Sequence, residues 1–484
     1  MPQADSPNLE NIAPNTWRIA RFGNMNGDAV IYADPSMLAH IRSDQCLSQV
    51  VNVACLPGLV GNALAMPDIH WGYGFPIGGV AAFDFDDGII SPGGVGYDIN
   101  CGVRLYSTSL PRQAIARDIP ALVDALFMNI PSGIGSRRKD RKLTAADYRG
   151  VLTRGAAWAV AQGYGEQPEL QHIEDAGCIA GADPALISNK AFERGRSQLG
   201  TLGSGNHFVE IACVDTIYDA PAAAQLGLTL DAVTISVHTG SRGFGYQVCD
   251  ETIKKMLTAS RSYDIPLPDR QLCCAPLRSP EGQSYLAAMA CAANYAFVNR
   301  HLIGHWIKQT FEQVLDAAPR ELGFGLVYDV CHNIAKIETH TIGRETKKVC
   351  VHRKGATRAF APHHPLVPDD YRHIGQPVLI PGDMGRCSYV LVGTEQAMQQ
   401  TFGSSCHGAG RRLSRNQAKK AARGRCIADE LSRNNIHVRA AGRSTLSEEM
   451  PEAYKDVNQV VDVIDTAGLG KKVVRLRPLG VIKG

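Results

Sequence analysis

No C-x-x-C pair occurs among the fourteen cysteines of this 484-residue chain, so a zinc ribbon or a thioredoxin-type redox site is not expected. The first residues, MPQADSPNLENIAPNTW, hold no apolar stretch of the secretory kind. A disulfide framework is therefore a poor use for those thiols in a chain of this size, and a cytoplasmic protein with reduced cysteines is the expectation. No run approaches the ~18 apolar residues of a membrane span. Charge of one sign is missing too. Lys and Arg number 50 against 47 Asp and Glu, which leaves +3, so a hold on nucleic acid must come from local clusters. There is no G-x-x-x-x-G-K-[ST] loop and no K-x-D-G segment, the lysine-nucleophile signature of the common DNA and RNA ligases and capping enzymes. Covalent nucleotide chemistry here would need an attacking group other than that lysine.

What is present reads as globular: 44% apolar and 20% charged residues sit in the ordinary range. Length alone suggests roughly three domains, yet no repeat, low-complexity tract or linker divides the chain. Strand-like runs at 226–238, 322–331 and 377–381 end in short polar segments. Residues 281–315 keep helical periodicity with few breakers, and 414–432 read as a basic amphipathic helix. Loops at strand ends are where such architectures place chemistry.

Three segments concentrate that chemistry. The glycine-rich block 66–104 carries Asp68, His70, Asp98 and Cys101, and Asp98-x-x-Cys101 brings a hard oxygen and a thiolate within reach of one ion. Tight turns around a buried cysteine explain the same block equally well. His207 in GSGNHFVEI, His238 in VHTGSRGFG and His332 in DVCHNIAKIE each stand beside a strand-like run. A lone histidine is usually a satisfied polar group; three in like settings, with Asp98 and Cys101, make five metal donors. Thiolate and imidazole suggest zinc by softness, while an aspartate with open positions admits manganese. His301 and His305 share a helix face but lack the glutamate of H-E-x-x-H, so packing is the expected role for them, as for His172, His363, His364 and His437. The third segment, SSCHGAGRRLSR, sets His407 before Gly408-Ala409-Gly410. Small residues entering a helix would expose N–H groups to phosphate, with His407 as nucleophile or base at the edge.

MPDIHWGYGFPIGG, GGVGYDINCGVRL, TLGSGNHFVEI, HTGSRGFG, CHNIAK, SCHGAGR, PEAYKDV and the terminal PLGVIKG together resemble the RtcB-type RNA-splicing ligases, in order from about Met66 to Gly484. The resemblance implies an α+β fold: one large catalytic domain, 1–484, with mixed β-sheets around a central metal and nucleotide cleft, residues 1–50 being the part it covers least. It implies a GTP- and Mn²⁺-dependent ligase that joins RNA 2′,3′-cyclic phosphate or 3′-phosphate ends to 5′-hydroxyl ends in splicing or repair. Two Mn²⁺ ions would fall to Asp98, Cys101, His207, His238 and His332, with the Cys101 thiolate bridging them. The guanylylated nucleophile falls on His407, with Asp68 as a possible orienter. Guanylate contacts carry over to Asn206, His207, Phe208, Val209 and Glu210, to His332 and Asn333, to Pro381, Gly382, Asp383, Met384 and Ser388, to His407, Gly408, Ala409 and Gly410, and to Tyr454 and Lys483. Some relatives depend on a small activator protein, archease; a monomer is the default. The sequence departs from the family pattern where PGDMG puts Asp383 in place of a small hydroxyl, and where Arg412-Leu413 replaces a more apolar pair.

RNA should lie on positive surface. The clusters are 136–142 (SRRKDRK), the stretch 411–425 with seven cations, and Lys471, Lys472, Arg475, Arg477 and Lys483. The second adjoins His407 and carries the most weight. Two rivals use the same residues: a dinuclear phosphoesterase that needs no His407 nucleophile, and a non-catalytic binder of RNA ends.

Overall fold

The computed structural model describes residues 8–138 and 143–484. It is an α+β fold built on two large mixed sheets. The first holds seven strands in the order Glu10–Ala13, Thr16–Ile19, Ala29–Tyr32, Leu59–His70, Ile77–Asp84, Glu345–Lys354 and Asn333–Ile342. The early residues thus extend the sheet that carries Asp68. The second runs Gly325–Cys331, Gly102–Pro111, Ala232–Thr239, Phe208–Ile217, Lys471–Lys483, Ser388–Val392 and Pro377–Ile380, with His437–Ala440 pairing in parallel along Lys471–Lys483. The runs at 226–238, 322–331 and 377–381 each hold a strand, Ala232–Thr239, Gly325–Cys331 and Pro377–Ile380, while 226–231 are a helix end and turns. Among the described residues, no helix is long and apolar enough to cross a membrane.

Register explains why distant motifs meet. In the second sheet Gly102 lies opposite both Thr239 and Cys331, Phe208 opposite His238, and Lys483 opposite Phe208. Antiparallel pairing brings starts and ends of successive strands to one edge, so Cys101, His207, His238, His332 and Lys483 share one end of the sheet. His332 is the single residue between a strand of the second sheet, Gly325–Cys331, and a strand of the first, Asn333–Ile342. The first sheet contributes its own end there, because Asn333 faces Lys354 and His70 faces Ile77.

Behind this end runs the helix Pro280–Leu315, capped by Ser279 accepting from the Gly282 N–H at 3.1 Å, with proline in its first turn. At 36 residues it spans about 54 Å. Its middle carries polar residues inward. Asn299 Oδ1 accepts from the Gly200 and Thr201 N–H groups at 2.6 and 3.2 Å. Arg300 donates to the Asn100 and Thr239 carbonyls at 2.8 and 3.0 Å. Asp329 lies between Arg300 and Arg104, at 2.7 and 2.8 Å, all fully buried. These bonds fix the loops that carry Cys101, His207 and His238.

One helix differs from expectation. Residues 414–432 form two short helices, Arg415–Ala421 and Ile427–Arg433, separated at Gly424, whose φ of +76° is left-handed backbone. Only Ala418, Ile427 and Leu431 of these two are buried.

Candidate functional site

Asp98 Oδ2, Cys101 Sγ and His207 Nε2 meet at one point: a donor atom from each lies within 4.8 Å of the others, with Asp98 Oδ2 2.9 Å from His207 Nε2. Cys101 Sγ also lies 3.3 Å from His238 Nε2 and 3.5 Å from His207 Nε2. Cys101 thus stands between two donor sets, as a bridging thiolate would. His238 and His332 follow in a line of rings, their centroids 5.4 Å apart. His332 Nδ1 lies 2.9 Å from Thr357 Oγ1; when the ring donates there, its Nε2 is left as a lone pair. That Nε2, like Nδ1 of His238, is buried with no hydrogen-bond partner.

Burial pushes the Cys101 thiol up, reinforced by Asp98, and holds His238 and His332 well below the usual imidazole range. Burial, the largest single influence, would raise the Asp98 carboxyl; the His207 hydrogen bond and charge, with Arg242 and Cys101, together outweigh it and bring it to about 2. Orphaned imidazole nitrogen, one carboxylate and a shared sulfur fit a divalent transition metal ion. Arg242 was not singled out by sequence, yet its guanidinium reaches His207 Nδ1 at 3.3 Å.

His407 lies next along the line, its ring 5.2 Å from that of His332. It follows the strand Ser404–Cys406, whose Cys406 pairs with Ala356. Asp68 Oδ2 accepts both from His407 Nδ1, at 2.6 Å, and from its backbone N–H, at 3.1 Å. This fixes the tautomer and leaves Nε2 as the lone-pair nitrogen. Two glycines permit the approach. At Gly410, with φ +71°, a Cβ would stand 2.2 Å from the Asp68 carbonyl; at Gly355, with φ +59°, it would meet Ile77 at 2.3 Å and His407 at 3.1 Å. The expected helix entry at Gly408–Gly410 is absent. The segment is irregular, and the helix starts only at Arg415 behind a Ser414 cap.

His407 opens on a cavity of about 230 Å³. Asn206, Phe208, Glu210, Asn333, Pro381, Gly382, Asp383, Met384, Ser388, Gly408, Ala409, Gly410, Tyr454 and Lys483 line it, with Cys101, His238 and His332 at its metal end. Neither His207, whose ring lies against Asp98 and Cys101, nor Val209 joins them. Strand alternation turns the Val209 side chain into the core, so that carried-over contact is at most one of backbone. Arg411, Arg415 and Gly355 line the cavity as well, as does His70, whose imidazole burial pushes down to about 3.

The end of the cavity lined by Arg411, Tyr454 and Lys483 is charged and paired. Lys483 is buried, 3.8 Å from Glu449 Oε2; Arg411 meets Glu449 Oε1 at 3.0 Å, and the Tyr454 hydroxyl donates to Glu449. Burial raises Glu210 to about 8, although Lys483 opposes the shift. Ser388 Oγ lies 3.4 Å from Glu210 Oε1. Asp383 does not point free charge into the cavity. Its carboxylate accepts from the Gly385 and Arg386 N–H groups, at 2.9 and 3.1 Å, and pairs with Arg386 at 2.6 Å. The departure from the family pattern is thus absorbed by its own turn.

The cationic clusters are weaker than their sequence suggests. Lys471 pairs with Asp219, Lys472 with Asp462, and Arg475 and Arg477 with Asp215, while Lys483 belongs to the cavity. In the second cluster Arg411, Arg415, Lys419 and Arg425 meet Glu449, Glu448, Glu430 and Glu452. Arg412, Lys420 and Arg423 form no ion pair among the described residues. Residues 139–142 of the first cluster lie outside the described residues; Arg138 stacks over Trp306 at 3.5 Å. His301 and His305 pack as expected: His301 Nδ1 accepts from Arg104 at 3.0 Å, its Nε2 donates to the Tyr164 carbonyl at 2.7 Å, and His305 meets the Tyr164 ring.

Comparison with known proteins agrees with this geometry. Residues 49–484 match the family model described as tRNA-splicing ligase RtcB. A tRNA-splicing ligase RtcB of Archaeoglobus fulgidus is 50% identical over 482 residues, 98% of this chain and 99% of that one. One from Thermococcus kodakarensis is 50% identical over 477 residues, again 98% and 99%. An RNA-splicing ligase RtcB of Mycobacterium bovis is 50% identical over 438 residues, 90% of this chain and 100% of its own. Half its residues are shared along nearly its whole length with such proteins, and the chain belongs to the tRNA-splicing ligase RtcB family.

Proposed function

We propose that this chain is a GTP- and Mn²⁺-dependent RNA ligase acting in RNA splicing or repair, which joins 2′,3′-cyclic phosphate or 3′-phosphate ends to 5′-hydroxyl ends through guanylylated His407. The observation that carries the reading is the 2.6 Å bond from His407 Nδ1 to Asp68, beside donors suited to metal. Asp98, Cys101, His207, His238 and His332 would hold two Mn²⁺ ions, which supply charge neutralisation and Lewis-acid polarisation at phosphorus.

In the first step His407 Nε2 attacks the α-phosphorus of GTP. The P–N bond forms, the bond to the bridging oxygen breaks, and pyrophosphate leaves with the electron pair. The ring gains positive charge, and Asp68 stands against Nδ1–H to balance it. A cyclic phosphate is opened by water to a 3′-phosphate. An oxygen of that phosphate then attacks the guanylyl phosphorus and releases His407, leaving GMP on the RNA end. The 5′-hydroxyl attacks the RNA phosphate, and GMP departs. Dividing one difficult displacement into easier ones is the advantage of a covalent intermediate. Lys483, Glu210, Tyr454 and the turn 381–385 would hold the guanylate, and Arg412, Lys420 and Arg423 are left free to meet RNA phosphates, contacts that weaken with salt.

The test is ligation of an RNA strand ending in a 2′,3′-cyclic phosphate to a 5′-hydroxyl strand with Mn²⁺ and GTP. A joined product that needs both cofactors supports the reading. Release of phosphate from the ends without joining would support a phosphoesterase, and neither activity a binder of RNA ends.

A further inference from the structure

We infer that Lys455 is the residue that positions Asp68, and through Asp68 the His407 ring, for attack; the inference rests on the function proposed above. Lys455 is 6% exposed. Its ammonium donates to the carbonyl of Pro67 at 3.0 Å and to that of Ile69, the residues immediately before and after Asp68. It grips both sides of the aspartate without touching the nucleophile.

Three observations make this more than packing. First, no carboxylate forms an ion pair with Lys455 among the described residues, and a buried ammonium without one is costly. Burial pushes it down to about 8, against the opposing charge of Asp68. Filling space would be done better by an apolar side chain. Second, Asp68 is fully buried, with Oδ1 lacking any partner and Oδ2 taking both bonds from His407. A carboxylate held through one oxygen keeps its direction only if the backbone on either side is held. Third, the Lys455 N–H donates to the Gly410 carbonyl at 3.0 Å, and the preceding Tyr454 lines the cavity. Two consecutive residues therefore border the nucleotide, brace the nucleophile loop and clamp its orienting acid. Sequence alone could not single out Lys455, because its bonds go to carbonyls nearly 400 residues away in the chain.

The experiment compares Lys455→Met, Lys455→Arg and Asp68→Ala in the full-length protein. The first readout needs no activity: the NMR resonance of the His407 Nδ1 proton, which a 2.6 Å bond to Asp68 moves far downfield. Lys455→Met should lose it or shift it upfield, and Lys455→Arg should retain it. The second is single-turnover guanylylation with α-labelled GTP. Lys455→Met should be slower by roughly 10–100-fold, the range for residues that orient a functional ligand from behind, with GTP Kd within about threefold of the parent; Lys455→Arg should recover most of the rate. In Lys455→Met/Asp68→Ala the rate should equal that of Asp68→Ala alone, since Lys455 acts through Asp68. An unchanged resonance in Lys455→Met, or losses that multiply in the double variant, would overturn the inference. If Lys455→Met does not fold, Lys455→Gln, which keeps an N–H donor, is read in the same two ways. Should the parent protein form no adduct, the functional reading falls, while the resonance still decides the role of Lys455.

Discussion

One buried histidine on the long helix and two at the junction of the sheets are chemically alike and physically opposite. On the long helix, His301 has both ring nitrogens satisfied, one accepting from Arg104 and one donating to the Tyr164 carbonyl. At the junction of the sheets, His238 and His332 are as deeply buried, yet each keeps a nitrogen with no partner. Burying an unpaired imidazole nitrogen costs on the order of 1–3 kcal/mol. The helix histidine stabilises the fold through two bonds, whereas each junction histidine leaves one buried nitrogen unpaired. Burial does not separate the two roles; hydrogen-bond satisfaction does.

Removing the shared donor should break this comparison most sharply. Cys101→Ala should abolish Mn²⁺ binding and guanylylation together, with little loss of stability in metal-free protein, checked by metal titration, label transfer and melting. Full activity in Cys101→Ala would end the bridging-thiolate reading. The helix side predicts the reverse. Asp329→Asn should cost about 3–5 kcal/mol, because it leaves Arg104 and Arg300 buried with a weakened partner. His301→Ala should cost about 2–3 kcal/mol from a lost bond and a cavity. In His301→Ala the number of Mn²⁺ ions bound should stay that of the parent.

A subtler test uses Glu210. Its folded pKa, about 8, lies above the usual carboxylate value, so the folded state prefers the protonated form. Stability should then fall as pH rises from roughly 4.5 to 8. Glu210→Gln should melt like the parent at pH 4 and above it at pH 9, by an amount that grows across that window. The smallest effect is expected at Asp383. Because its carboxylate serves its own turn and Arg386, Asp383→Ser should cost about 1 kcal/mol and change the KM for GTP less than threefold, as steady-state adduct formation would show.

How much of this was legible in the sequence differs by kind of residue. Asp98-x-x-Cys101 and the histidines beside strands stand out directly, because residue types that can bind metal come from a short menu, and the structure brings Asp98, Cys101 and His207 together. The long helix was legible from its period. The break at Gly424 was not, because a single glycine inside a polar, charged pattern does not reveal its φ. The charge of the second and third clusters was overstated, since Glu448, Glu449 and Asp215 approach from other parts of the chain. The direction of the Val209 side chain is not legible from a motif, which is continuous, while a strand sends alternate side chains to opposite faces. Arg242 and Lys455 make long-range contacts that spacing does not encode.

The central claim is that His407, held by Asp68 with Nε2 exposed to the cavity, becomes covalently guanylylated. Its most direct test is mass-spectrometric mapping of the label after incubation with α-labelled GTP and Mn²⁺. One GMP per chain on His407, acid-labile and alkali-stable, and absent from His407→Ala, is the expected result. An adduct on a lysine, or one that persists in His407→Ala, would contradict it.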